Sequence, residues 1–414
     1  MRETKFKKTD IGLIPEDWEI VPLGQLFEFK NGLNKSKEYF GYGTPIINFT
    51  DVFNNPKMYK STIKGLVSVT SSDIKSCNAH KGDVFFTRTS EIPEEVGMSS
   101  VLLDELDSAV FSGFVLRARP KTDLLDSEYS GICMRSKIVR HQIIKSATYT
   151  TRALTSGAKL SEVLIPLSTI HEQRKIAIAL SDVDNLIRSL TKLIEKKKDI
   201  KIATMQQLLT GKKRLKGFSE PWMDIRLGDY TTMNSGGTPA SSNPEYYNGE
   251  IPFLTISDIT NSGKYIKTTE KTITEKGLEN SSARMFSVGT IMYAMYASLG
   301  KTSIASIELS CSQAILGITP KSCIDGNYLY YVLSSMEEDV KAIGQTGTQA
   351  NLSKQIVQNF ILNIPINLEE QKAIATILSE MDNEISSLEA TSAKYESIKK
   401  GMMQELLTGK IRLI

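Results

Sequence analysis

Glu172–Leu190 reads EQRKIAIALSDVDNLIRSL, and Glu370–Leu388 reads EQKAIATILSEMDNEISSL. Further along, Met205–Leu215 (MQQLLTGKKRL) returns as Met403–Leu413 (MQELLTGKIRL). The two passages align without a gap, Glu172 onto Glu370 and Leu215 onto Leu413, at a constant offset of 198 residues. About half of the aligned positions are identical. A repeat so long, with unlike sequence between its copies, predicts a molecule of two equivalent halves. Two-fold internal symmetry suits a two-part target, and duplex DNA is the commonest such target.

The repeats read as helices. Ile176, Leu180, Val183, Ile187, Leu190 and Ile194 step by fours and threes, as do Ile374, Leu378, Met381, Ile385 and Leu388. That spacing is the seam of a coiled coil. Each copy starts after a proline (Pro166, Pro365) and stops at Thr-Gly (Gly211, Gly409), a good C-terminal signal. A helix of about 40 residues is a rod of about 60 Å, too long to lie on one globular core. Its obvious partner is its own copy, and antiparallel pairing is expected, which would put the intervening domains at opposite ends. The seam turns polar at Lys197, Lys201 and Thr204, and again at Ser392 and Lys399. The expectation there is that part of the rod faces another protein's helices or solvent.

The expected organisation is α+β with pseudo-two-fold symmetry: a mixed domain at 1–165, a helical repeat at 166–215, a second mixed domain at 216–365 and a second repeat at 366–414. Short apolar runs between Gly, Pro and Asn turns predict strands at Thr44–Phe49, Asp83–Phe86, Val110–Arg117, Ile251–Ile256, Thr290–Tyr293 and Ala314–Ile318. The longest apolar run, Val288–Leu299, is too short to span a bilayer and reads as a buried strand. The mixed segments echo each other faintly. Leu23-Gly24 answers Leu227-Gly228, Pro45…Asp51 answers Pro252…Asp258, Gly82-Asp83-Val84 answers Gly289-Thr290-Ile291, and Arg119-Pro120-Lys121 answers Thr319-Pro320-Lys321.

Composition sets the class. Apolar content of 40% with 23% charged residues is that of a soluble globular chain. The net charge of +3 advertises no broad basic field, yet nine Lys/Arg fall between Lys192 and Lys216 against only Glu195 and Asp199. Cys77, Cys133, Cys311 and Cys323 form no C-x-x-C pair, so disulfides and structural zinc are not expected and a reducing cytoplasm is. The charged N-terminus, MRETKFKKTD, is not the start of a signal peptide.

The order mixed–helical–mixed–helical, the helix starts Glu172-Gln173 and Glu370-Gln371, and the exits Leu208–Lys212 and Leu406–Lys410 (LLTGK) resemble the specificity subunit of type I restriction–modification systems. So do Ser235-Gly236-Gly237-Thr238-Pro239 and Gly347-Thr348-Gln349-Ala350-Asn351-Leu352, which resemble parts of that family's target-recognition domains. The resemblance covers essentially the whole chain and rests on the order of motifs rather than any one of them. It implies a non-catalytic subunit. Each mixed domain would read one half of a split, asymmetric DNA site, and the coiled coil would set the spacer. Two modification subunits using S-adenosylmethionine would dock on it, and two restriction subunits using ATP and Mg would join for cleavage; no cofactor is expected in this chain and no membrane. One departure stands out. The first domain has Thr155-Ser156-Gly157-Ala158-Lys159-Leu160 in place of the Gly-Thr-Gln-Ala-Asn-Leu run, with six residues from Leu160 to Pro166 against thirteen from Leu352 to Pro365. A shorter closing element is expected there.

Enzyme motifs fail on inspection. Asn243-Pro244-Glu245-Tyr246 has Glu245 where an amino-methyltransferase tetrapeptide has a second proline. Gly300-Lys301-Thr302 lacks the upstream glycine of a phosphate loop, holding Met295 there. His80, His141 and His171 form no i, i+4 pair for a metal or a triad. No catalytic or metal site is expected. DNA reading asks for Lys/Arg on phosphates and for amides, hydroxyls or Arg at base edges. The candidates are Lys30, Asn31, Asn34, Lys35, Thr87, Arg88, Thr89, Ser90 and Arg152 in the first domain, and Asn234, Ser235, Thr238, Tyr296, Lys301, Gln349 and Asn351 in the second. For Arg88 the bland alternative is a salt bridge with Glu91 or Glu94. If the rod is a ruler, four residues inserted near Met205 add about 6 Å, or one to two base pairs of spacer. A scaffold that binds two proteins and no nucleic acid, or an orphan methyltransferase, is the alternative; a DNA reader loses affinity steeply with salt and a scaffold shows no DNA binding.

Overall fold

The computed structural model describes residues 4–346 and 351–414; Gln349 lies outside the described residues. The chain forms two compact units, Met1–Thr191 with Thr391–Ile414, and Lys192–Ala390. Each unit joins one mixed domain to parts of two long helices, Ile170–Leu208 and Leu368–Leu406, each of 39 residues.

The first unit is built on a five-stranded sheet ordered Phe27–Asn31, Val115–Pro120, Val84–Thr87, Ser99–Leu102, Lys57–Met58. The second repeats it as Thr231–Ser235, Ile315–Pro320, Ile291–Ala294, Thr302–Ala305, Tyr265–Ile266. In both, the last pairing is parallel and the others antiparallel. A smaller sheet flanks each: three strands around Phe40–Ile47 in the first unit, four around Tyr247–Leu254 in the second.

The faint echoes between the mixed segments are shared structural devices. Asp51 and Asp258 each accept from a backbone N–H three residues earlier (Asn48, Thr255; both 2.8 Å), completing a capping box at a helix start. Gly82 and Gly289 both have φ of +89°, which glycine adopts without a Cβ penalty before each central strand. Gly24 and Gly228 sit where an added Cβ would come within 2.9 Å of Ser161 and 3.0 Å of Gln358.

Some expectations are corrected. Val110–Arg117 is two strands, Val110–Phe111 and Val115–Pro120, broken by a turn, and of Val288–Leu299 only Ile291–Ala294 is strand. The first domain has no shortened closing element. Helix Gly157–Ser161 and strand Leu164–Leu167 correspond to helix Lys354–Gln358 and strand Ile361–Pro365. The amide of Thr155 donates to Arg88 (3.0 Å) as that of Leu352 donates to Met295 (3.0 Å), so Leu352 is matched by Thr155 and not by Leu160. Matching the two leucines shifted the alignment by five residues.

The long helices pair head-to-tail within each unit. In the first, Asp184 meets Lys399 (2.5 Å), and Ile176, Ala177 and Leu180 share a core with Leu406 and Leu407. In the second, Lys197 meets Glu384 (2.6 Å), Lys201 meets Asp382 (2.5 Å), and Leu208 and Leu209 share a core with Ile374, Ala375 and Leu378. All eleven seam residues are buried or half-buried. Four of the five polar seam positions are thus occupied by the helix pair itself, and Thr204 donates to the Ile200 carbonyl of its own helix. Lys197, Lys201 and Lys399 form cross-helix ion pairs, and Ser392 is buried. Each helix ends on a glycine in the left-handed region, Gly211 (φ +68°) and Gly409 (φ +69°), with Lys213 N–H and Ile411 N–H reaching back to Gln207 and Glu405 carbonyls.

Candidate nucleic-acid interface

The repeated motif residues hold the scaffold. Glu172 and Gln173 open the first long helix fully buried, as Glu370 and Gln371 open the second. Gln173 Nε2 donates to the Ser168 carbonyl (2.8 Å) while its Oε1 accepts from Asp126 N–H (2.9 Å). Gln371 does the same with the Pro365 carbonyl (2.9 Å) and Asp325 N–H (2.8 Å). Each glutamate receives an arginine from the exit of the other helix. Arg412 donates to Glu172 through Nε (2.7 Å) and Nη2 (2.9 Å), and Arg214 donates to Glu370 through Nε and Nη2 (both 2.7 Å). The arginines lie over Trp18 (5.5 Å) and Trp222 (5.7 Å). The bidentate carboxylate raises the Arg412 guanidinium above its ordinary range, and Arg412 in turn lowers Asp17. These motif residues are therefore structural.

In the first unit three sequence segments converge. Leu33 N–H donates to the Phe111 carbonyl (3.0 Å) and Gly113 N–H to that of Leu33 (2.7 Å), which brings the loop of Asn31–Lys35 onto the turn at Ser112–Phe114. Arg88 Nη1 donates to the Gly113 carbonyl (3.1 Å), and strand Thr89–Ser90 pairs with Ala153–Leu154 beside Arg152. The exposed candidates are Lys30, Asn31, Asn34 and Arg152; Arg88 and Thr89 are half-buried. Lys35 is tied to Asp73 (2.9 Å) and Arg152 to Glu91 (3.5 Å). Arg88 pairs with a carbonyl, not with Glu91 or Glu94.

Thr87 and Ser90 are corrections. Both are buried: Thr87 Oγ1 accepts from Met98 N–H (2.9 Å) and Ser90 donates to Glu95 (3.2 Å), and strand Val84–Thr87 is covered on both of its faces. Arg117, Arg119 and Arg135 are consumed internally as well, by Asn78, by Asp83 and by the Val52, Phe53 and Asn55 carbonyls. Burial pulls Arg135 down to about 10. Sequence reading missed Phe114, 64% exposed beside Arg88's carbonyl partner; its only signal was a ring directly after Ser112-Gly113.

The second unit assembles an equivalent cluster. Asn234 and Ser235 end an outer strand, Thr238 hydrogen-bonds Gln313, and Met295 N–H donates to the Ala314 carbonyl (2.9 Å). Leu352 N–H reaches Met295, which brings exposed Asn351 beside exposed Tyr296. Ala297, next to Tyr296, has φ of +57°, an uncommon conformation for a residue with a Cβ. Gln313 was missed by sequence reading. Lys301 instead lines a cleft against the long helices. Asn243–Tyr246 is a capped turn, with Glu245 paired to Lys276. No cluster of three or more potential metal ligands occurs among the described residues, and no helix there is long and apolar enough to cross a membrane.

Two matching domains, each presenting loops of amides and hydroxyls, with Arg88 and Arg152 added in the first, and each anchored to paired helices, define a DNA-specificity architecture. The chain belongs to the family described as type I restriction modification DNA specificity domain, whose profile matches twice, at residues 15–199 and 219–399. It is 27% identical to a provisionally named type I restriction enzyme MjaX specificity subunit of Methanocaldococcus jannaschii, over 100% of this chain and 98% of the relative. It is 25% identical to the MjaVIII specificity subunit of the same organism, over 100% and 97%. The crystal structure of a type I restriction–modification S subunit from M. genitalium shares the fold, with a TM-score of 0.61 at 17% identity over 97% of this chain and 98% of that one.

Proposed function

We propose that each mixed domain reads one half of a bipartite, asymmetric DNA site, and that the paired helices fix the spacer and dock two methyltransferase subunits. Two ATP- and Mg-dependent restriction subunits complete the assembly in the cytoplasm, and S-adenosylmethionine belongs to the modification partner. This chain does no chemistry. The observation that carries the reading is that both units present the same loop cluster at the same sheet ends, with different residues: Asn34, Arg88 and Arg152 in one, Thr238, Tyr296 and Asn351 in the other. A shared frame with divergent tips is what two unlike half-sites require. Arg suits guanine and Asn suits adenine.

The test is co-expression with the neighbouring methyltransferase gene, followed by mapping of methylated adenines. The expected result is one motif of two unlike specific halves separated by a fixed run of unspecified bases. A contiguous motif, or methylation unaffected by deleting this chain, defeats the reading.

A further inference from the structure

We propose that a lysine-lined cleft in the second unit is a backbone-phosphate site for DNA, a contact that adds affinity without reading bases. It rests on the DNA-binding function proposed above. The cleft, of about 880 Å³, lies between the mixed domain and the long helices of residues 192–390. Five lysines line it, Lys198, Lys201, Lys264, Lys267 and Lys301, against the two carboxylates of Asp382 and Glu389. Lys198 is neutralised by Glu389 (2.7 Å) and Lys201 by Asp382 (2.5 Å). Three cations remain. Lys264 is held by Ser379 Oγ (2.8 Å) and the Tyr331 hydroxyl (3.2 Å), and the ammonium groups of Lys267 and Lys301 have no partner among the described residues.

The first unit shows that the fold does not demand this charge. There Lys57, in register with Tyr265 rather than with Lys264, makes a similar clamp and grips Ser181 (2.6 Å), the repeat equivalent of Ser379. Its cleft is smaller, about 340 Å³, and sets Lys57 and Arg188 against Glu128, Asp182 and Asp184. The clamp lysine is common to both units and structural, whereas the surplus lysines belong to the second alone. Burial lowers Lys264 to about 8, so an arriving anion would also favour its protonated form. Ammonium groups without a planar fork act as point charges, which suits phosphates. The DNA-binding function proposed above makes a phosphodiester backbone the ligand class; an acidic protein segment, which point charges would also hold, is the alternative that the experiment separates.

The experiment compares the full chain with its K267Q/K301Q and K267R/K301R variants, titrating a random-sequence duplex from low to moderate salt. Two lost phosphate contacts make the log–log salt slope shallower by about 1.8, so over a fourfold rise in salt the wild type loses about tenfold more affinity than the Gln variant. The Arg variant, which keeps the charge, retains the wild-type slope. A Gln variant with the wild-type slope overturns the site while leaving the DNA-reading function intact. A Gln variant that keeps its slope but no longer co-purifies with the methyltransferase shows a protein dock and likewise overturns it. A wild-type chain that binds no duplex at low salt removes the function itself.

Discussion

Arg412→Ala tests how the head-to-tail helix pair is closed in the first unit. Glu172 is fully buried and the Arg412 side chain is only 11% exposed. The carboxylate receives Arg412 Nε and Nη2, Trp18 Nε1 at 3.1 Å and Leu413 N–H at 3.3 Å. Removing the guanidinium leaves a buried anion with two neutral donors. Breaking a buried pair on one side costs roughly 3–5 kcal/mol, and the exposed edge of the arginine puts the expected loss at about 3 kcal/mol. Asp17, Arg412's other partner, is 60% exposed, so Asp17→Asn should cost under about 1 kcal/mol. Glu172→Gln in the R412A background removes the stranded charge and should restore roughly half of the loss. The chain has only two tryptophans, one under each arginine. Denaturant unfolding followed by fluorescence in a Trp222→Phe background therefore reports the first unit through Trp18, which matters because a two-unit chain need not unfold in one step. A loss below about 1 kcal/mol for R412A, or no recovery on adding E172Q, would show that the stranded carboxylate does not set the cost.

Three further outcomes are expected. Gly409→Ala should destabilise more than Gly211→Ala: both are left-handed, at a cost of about 1–2 kcal/mol, but the new methyl would meet Pro15 Cγ at 2.3 Å at the first site and only the Trp222 ring at 3.4 Å at the second; thermal melts rank them. Burial lowers Lys264 to about 8 in the folded chain, below the 10.5 of a free lysine, so the unfolded state binds more protons between those values and stability should rise with pH across that window; Lys264→Met should flatten this rise in pH-dependent denaturation. Arg88→Ala should relax base preference in one half of the methylated motif and leave the other half unchanged; loss of preference in both halves would contradict its placement in the first unit alone.

The scaffold was legible because its signals are local and periodic. The seam from Ile176 to Ile194 recurs every three or four residues, and Gly211 and Gly409 mark stops that any helix end would need. The partners of the polar seam positions were not legible: Lys201 and Asp382 are 181 residues apart, and neither reveals the other. Candidate DNA contacts were half legible. A residue at a strand end can be named from sequence, but whether it faces out depends on a period of two. One step separates exposed Lys30 from Phe29, which packs against the core, whereas strand Val84–Thr87 is buried on both faces and no period could place Thr87 outside. The mismatch of Leu160 with Leu352 has a different origin: the match is fixed by the shared hydrogen bonds to Arg88 and Met295 and by the helix and strand that follow, none of which the sequence displays.

The distribution of identity along the chain follows from that division of labour. Glu172, Gln173, Gly211 and Arg214 recur as Glu370, Gln371, Gly409 and Arg412 because each occupies a site with a single acceptable chemistry: a buried carboxylate facing a guanidinium, an amide bonding backbone on both sides, a left-handed cap. A change at any of them leaves a partner stranded, at a cost of kilocalories. The loop tips are under no such constraint. Asn34 and Asn351 are exposed, and substituting them costs the fold little. A protein that must hold one frame while changing what it reads would place its repeated residues in the latch and its divergent ones at the tips, and the two halves of this chain differ from each other in that way.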